Sequence, residues 1–235
     1  MKYKRILLKI SGESLSGENG QGINPEVLHY FASEIKSGYD MGTQIGVVIG
    51  GGNIFRGLQG VNKGFDRVQG DYMGMLATVI NSMALQGELE NLNVKSTILS
   101  GLAIDPLCEK MSSRKAINLL EAGHVVIIAS GTGNPFFTTD SGGALRSIEI
   151  KADVLLKGTR VNGVYDKDPE KHNDAVKYDT ISFDSAYKKN LNIMDLTAFT
   201  LCKENNMPII VFNMNKKGNL KKIIAGETIG TLIHQ

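Results

Sequence analysis

Val125-Val126-Ile127-Ile128-Ala129 runs directly into Ser130-Gly131-Thr132-Gly133-Asn134-Pro135-Phe136-Phe137-Thr138-Thr139-Asp140. The first five residues are apolar without a break, which reads as a strand covered on both faces. The segment from Ser141 to Ile150 reads as a helix. The stretch between them is therefore a loop from a strand end to a helix start. Gly131 and Gly133 allow a tight turn and a close backbone approach to a ligand. Thr138, Thr139 and Asp140 sit at the helix entry, where free N–H groups and the helix dipole favour an anion such as phosphate. Phe136 and Phe137 are suited to wall a pocket for a planar ring. The same residues also fit a plain capping loop with two core phenylalanines.

The pattern repeats outward from this stretch. Arg5 to Ile10, Ile45 to Ile49, Ser96 to Leu99, Val154 to Lys157, Ile209 to Asn213 and Gly230 to His234 read as further strands. Helical spacing covers Glu26 to Ser37 after Pro25, Asp71 to Asn91, Lys110 to Ala122, Asp195 to Asn205 and Lys216 to Ala225. Alternating apolar strands and helices predict an α/β fold, a three-layer αβα sandwich around a mainly parallel sheet. A division near residue 150 separates two lobes, 1–150 and 151–235, of one unit, because no linker composition marks it. Met73, Met75 and Met83 read as core or subunit packing.

Composition narrows the classes. The chain has 235 residues, 42% of them apolar, and a formal net charge of +2. That charge is too small to argue for nucleic acid or an anionic membrane surface. No apolar stretch approaches a membrane span, and the opening Met1-Lys2-Tyr3-Lys4-Arg5 does not begin a signal peptide. Cys108 and Cys202 lie far apart, which excludes a disulfide framework and fits a reducing, cytoplasmic compartment. His29, His124, His172 and His234 lack metal-ligand spacing, so no protein metal site is expected.

Ligands in parallel sheets sit beyond the carboxyl ends of the strands. Three glycine corners occupy such positions: Ser11-Gly12, Gly50-Gly51-Gly52-Asn53 and Gly131-Thr132-Gly133. Together they favour a phosphate-rich ligand, although neither a GxxxxGK[ST] loop nor a GxGxxG after the first strand is present. Lys9 ends a buried strand, a costly place for an ammonium unless it meets an anion. Arg56 follows the second corner, where its fork of donors is suited to phosphate. Either residue alone also reads as a salt-bridged surface group. Combined with the corners, they point to phosphoryl transfer, which needs positioning and positive charge more than a nucleophile.

The motifs Lys9-Ile10-Ser11-Gly12-Glu13, Gly50-Gly51-Gly52-Asn53-Ile54-Phe55-Arg56-Gly57, Asp71-Tyr72-Met73-Gly74-Met75-Leu76-Ala77-Thr78, Thr132 to Asp140 and Gly163-Val164-Tyr165-Asp166-Lys167-Asp168-Pro169 occur in this order. In that order the chain resembles the bacterial uridylate kinases of the amino acid kinase superfamily, over essentially its whole length. The resemblance implies phosphoryl transfer from MgATP to UMP in pyrimidine nucleotide biosynthesis. It implies ATP contacts at Lys9, Ile10, Ser11, Gly12, Gly52, Arg56, Lys157, Thr159, Asn162, Tyr165 and Asp168. It implies UMP contacts at Gly51, Asp71, Thr132, Gly133, Asn134, Pro135, Phe136, Phe137, Thr138 and Thr139. Lys9, Arg56, Asp140 and Asp195 then look like the catalytic set, with Asp140 organising the basic groups and Asp195 positioning Lys9. A helix cap is the competing reading of both aspartates. Asn162 departs from the aspartate associated with that turn.

The resemblance further implies a homohexamer built from dimers; the Met-rich helix from Asp71 to Asn91 reads as a candidate interface or equally as interior. It implies UTP inhibition and activation by GTP through Gly17, Glu18, Asn19, Gly20, Gln21 and Gly22. Mg²⁺ is expected to ride on phosphates and water. Two other readings compete: a superfamily relative acting on a carboxylate or carbamate, and a non-catalytic nucleotide sensor. The Thr132–Asp140 loop and Asp71 argue against the first. Keeping Lys9, Arg56, Asp140 and Asp195 together argues against the second.

Overall fold

The computed structural model describes residues 1–56, 64 and 66–235; Gly57 of the second motif and the side chain of Asn19 lie outside it. In chain order the strands are β1 Arg5–Ile10, β2 Gln44–Ile49, β3 Ser96–Ser100, β4 Glu109–Lys110, β5 Val125–Ala129, β6 Val154–Thr159, β7 Thr180–Ser182, β8 Ile209–Asn213 and β9 Thr231–His234. They form one sheet in the order β4-β3-β5-β2-β1-β6-β8-β9-β7. Among the described residues every ladder is parallel except β8 with β9.

The helices are α1 Pro25–Tyr39, α2 Arg67–Asn91, α3 Ser113–Glu121, α4 Thr139–Glu149, α5 Phe183–Lys188, α6 Leu196–Glu204 and α7 Asn219–Ala225. Side chains alternate across a strand, so each face of the sheet collects every second residue. On one face Ile6, Leu8 and Ile10 of β1 pack with Phe31 of α1, Leu85 of α2 and Ile223 of α7. On the other, Leu7 packs with Ala116 of α3, Ala144 of α4 and Phe199 of α6. The expected three layers follow directly. The alternation also assigns Lys9 and Lys157 to the second face, because their neighbours Leu8 and Leu156 belong to the first.

Several expected boundaries move, and at two helix starts the capping residue shows why. The helix expected from Lys110 begins at Ser113, because Ser112 is extended and its side chain accepts from the Lys115 amide at 3.4 Å. Lys110 instead pairs with Ser100 as part of β4. The helix expected from Asp71 begins at Arg67, where Asp66 caps the Val68 and Gln69 amides. Of the three methionines assigned to packing, Met75 is buried while Met83 is 45% exposed. Met83 belongs to an outward row on α2 with Val68, Tyr72, Leu76 and Ile80.

Candidate active site

Parallel pairing of β1 with β6 sets Lys9 beside Lys157 in register. Both side chains leave the sheet on the face covered by α4. The first turn of α4 supplies Asp140, whose Oδ2 accepts from Lys157 Nζ at 2.7 Å. Lys9 Nζ stands 2.8 Å from Oδ1, an ion pair without the alignment of a hydrogen bond. Lys157 Nζ also donates to the Ile193 carbonyl at 2.5 Å. Burial would raise the Asp140 pKa, but the two ammonium charges outweigh it and hold the carboxyl below the usual carboxylate range. Burial pulls the Lys157 ammonium below the usual lysine range; Asp140 opposes that shift and Lys9 adds to it.

The corners after β1 and β2 meet backbone to backbone. A Cβ on Gly12 would lie 2.2 Å from the Gly50 carbonyl oxygen, so only glycine fits there. Glu13 forms an ion pair with Arg56 across the mouth of this corner. The Gly12–Asn19 stretch is a 3₁₀ segment kinked at Gly17, and its continuation reaches the second corner, where the Gly22 amide donates to Asn53 O at 2.9 Å.

The Thr132–Asp140 loop is held in an unusual backbone path. Ser130, Gly131, Gly133 and Phe136 all have positive φ, at 59, 50, 81 and 71°. Left-handed backbone at Ser130 and Phe136 is costly and persists only where the surroundings over-determine it. Ser130 N donates to Thr78 Oγ1 at 2.7 Å, and Phe136 N donates to Asp71 Oδ2 at 2.8 Å. Arg146, 6% exposed, donates twice to the Gly131 carbonyl, from Nε at 3.1 Å and Nη2 at 2.9 Å. Asp71 also accepts from Arg67 Nε at 2.9 Å, and the Arg67 guanidinium lies 5.6 Å from the Phe136 ring centroid. Phe136 thus faces solvent under Arg67, while Phe137 reaches the cleft wall. Thr138 caps α4, accepting from the Asp140 and Ser141 amides at 3.1 and 3.2 Å.

Asp195 caps α6 through the Ala198 amide at 2.8 Å. Its carboxylate also takes the hydroxyls of Thr138 and Ser141, so it ties the start of α6 to the start of α4. Lys9 is held by Asp140; the groups bonded to Asp195 are hydroxyls and an amide. On the loop after β6, Thr159 Oγ1 donates to Val161 O at 2.9 Å, and Asn162 Oδ1 accepts from Asn213 Nδ2 at 3.3 Å. Tyr165 bridges to Lys177 in antiparallel fashion. Asp168 is exposed, and its bond from the Glu170 amide, with help from Lys171, keeps it below the usual carboxylate range.

Two clefts result. The first, about 480 Å³, is lined by the glycine corner Gly50 to Gly52, Arg56, Asp71 and the loop residues Thr132, Asn134, Phe137, Thr138 and Thr139. The second, about 690 Å³, is lined by Lys157, Gly158, Thr159, Arg160, Asn215 and Tyr30. Lys9, Ser11 and Glu13 line both. Tyr30 donates its phenol to Met214 O at 3.0 Å, and burial pushes its pKa up to about 12. Gly52 and Arg56 thus stand on the first cleft, while Asn162, Tyr165 and Asp168 lie on the loop beyond the lining of the second. Sequence reasoning gave no role to Glu13, Arg67, Thr78 or Arg146, although Glu13 and Thr78 lie inside motifs that it singled out. On helices such polar residues look like ordinary surface; only Thr78, inside the apolar run Leu76 to Ile80, carried a visible signal.

The amino acid kinase family matches residues 4–213. A uridylate kinase of Bacteroides thetaiotaomicron is 58% identical over 99% of this chain and 99% of its own. One from Porphyromonas gingivalis is 57% identical over 98% and 97%. The crystal structure of UMP kinase from Bacillus anthracis superposes with a TM-score of 0.96 at 36% identity, covering 100% of this chain and 97% of that one. UMP kinase from Ureaplasma parvum gives 0.93 at 36% identity, with 100% of both chains covered. By the family match and by these relatives, the chain belongs to the amino acid kinase family, among its uridylate kinases.

Proposed function

We propose that this chain transfers the γ-phosphoryl group of ATP to UMP, giving ADP and UDP. One observation carries the reading: two clefts of different lining meet at Lys9 and Ser11, as a donor and an acceptor of one phosphoryl group require. UMP occupies the first cleft, with its phosphate toward the start of α4 and its sugar toward Asp71. ATP occupies the second, with the triphosphate along Lys9, Ser11, Gly12 and Lys157. An oxygen of the UMP phosphate attacks the γ-phosphorus in line, and the bond to the β–γ bridging oxygen breaks to release ADP. No general base is needed, because a phosphate monoester has a second pKa of about 6. Lys9 and Arg56 offset the charge on the transferred group, and Asp140 keeps the two lysines apart and aimed.

Magnesium enters with the nucleotide, held by phosphate oxygens and water. Among the described residues no three His, Cys, Asp or Glu side chains converge, and the buried carboxylate at the junction is already spanned by two lysines. A second copy of the chain covers the apolar row on α2, the first step toward a homohexamer. Among the described residues no helix is long and apolar enough to cross a membrane, and the setting proposed is cytoplasmic.

UMP is expected to be phosphorylated far faster than CMP, dTMP or aspartate when ADP release is followed across the four. Equal turnover of CMP and UMP would remove the assignment. Regulation belongs to the same proposal: GTP is expected to raise the initial rate at fixed ATP and UMP, acting through Gly17 to Gly22, and UTP to lower it. That requires each effector to bind one state of the enzyme more tightly than the other. A flat GTP titration, read by direct detection of UDP, removes the activation.

A further inference from the structure

Asn53 closes the glycine corner after β2, yet its side chain does not line the cleft. It points into the protein, 2% exposed, and meets Asn81 of α2, which is fully buried. The two amides bond reciprocally. Asn53 Nδ2 donates to Asn81 Oδ1 at 3.0 Å, and Asn81 Nδ2 donates to Asn53 Oδ1 at 2.7 Å. The second hydrogen of each goes to a backbone carbonyl, Gly22 O at 2.8 Å from Asn53 and Gly50 O at 2.7 Å from Asn81. An amide has two donors, so both are used, and the carbonyl partners fix which way each amide faces. The Gly22 amide completes the set by donating to Asn53 O at 2.9 Å.

A fully satisfied buried network rigidifies what it joins, and removing one member leaves the rest unpaired. Three pieces are joined here: the Gly50–Gly52 backbone, the helix carrying Asp71 and Thr78, and the glycine-rich segment ending at Gly22. The first two line the acceptor cleft; the far end of the third, at Gly22, meets the corner through the Asn53 amide and the Gly22 N–H bond to Asn53 O. We infer that Asn53 and Asn81 are positioning residues for the acceptor, setting the Gly50–Gly52 corner against α2 and carrying displacements of Gly22 into that corner. The inference rests on the acceptor reading of the first cleft.

The test uses Asn81→Asp, which keeps shape and loses both donors, with Asn81→Leu beside it. Asn53→Asp, which loses the donor to Gly22, carries the test if the Asn81 variants fail to fold. The expected result is a KM for UMP raised at least tenfold, with the KM for ATP within about twofold. A purely structural loss would move both KM values together or leave both unchanged in the folded fraction, and either outcome overturns the positioning role. Hydrogen exchange of the segment containing Gly22 is read on the same proteins without substrate. Exchange at least tenfold faster than in the parent supports the link, and unchanged exchange overturns it. A parent chain that makes no UDP would defeat the proposed function alone, since the exchange result stands without turnover.

Discussion

Replacing Lys9 by alanine is expected to lower kcat by roughly 10²–10³-fold, the usual loss when one preorganised charge is removed from a transition state. Lys9 lines both clefts, and among the described residues its side-chain partner is the Asp140 Oδ1 ion pair, which leaves its ammonium able to turn toward the transferred group. Folding is expected to change little. Asp140 retains Lys157 at 2.7 Å, so the buried carboxylate stays paired without Lys9. Steady-state kinetics and a melting curve on the same preparation decide the matter. A near-normal kcat with an unchanged melt would show that Lys9 only neutralises Asp140.

Asp140→Asn should differ in adding a large loss of stability. The two lysines lie side by side in register, each with a side chain only 14% exposed, and Asp140 is the carboxylate paired with both. Breaking a buried pair by removing one partner costs on the order of 3–5 kcal/mol, because a charge is left without compensation. Denaturant unfolding at neutral pH measures it, and a change below about 1 kcal/mol would mean that solvent or another group already screens the lysines. The pH dependence follows from the direction of the shift. The folded state holds the Asp140 carboxyl below its unfolded pKa, so its contribution is fully present above the ordinary carboxylate range. It is lost as pH falls through the lowered folded value. The parent should therefore lose stability toward acid more steeply than Asp140→Asn.

Much of this architecture can be read from the chain, for identifiable reasons. Arg5–Ile10, Val125–Ala129 and Ile209–Asn213 are legible to the residue, because each is rich in Ile, Leu or Val and is followed by a turn or a polar group. Glu109–Lys110 and Thr180–Ser182 are not, since strands so short owe their existence to the edge they pair with. The antiparallel direction of β9 is likewise decided by its neighbour β8. The site divides in the same way. Lys9 and the corners announce themselves by a charge or a glycine at a strand end, and Asp140 by a carboxylate at a helix entry. Lys157 is named by the resemblance alone, and its pairing with Lys9 and Asp140 appears only through the register of β1 with β6. Arg146 sits on α4 as an unremarkable basic residue, and its clamp on Gly131 exists only once the helix packs back on the loop.

The place of β1 between β2 and β6 has an evolutionary consequence. Connections on the β2 and β5 side shape the first cleft, and connections on the β6 and β8 side shape the second. On the proposed assignment, drift in the loop after β5 alters which molecule is accepted while the Lys9–Lys157 register stays as it is. The donor half is then inherited intact while its clientele diversifies. The change would be written into a few loop residues on one flank rather than into the sheet.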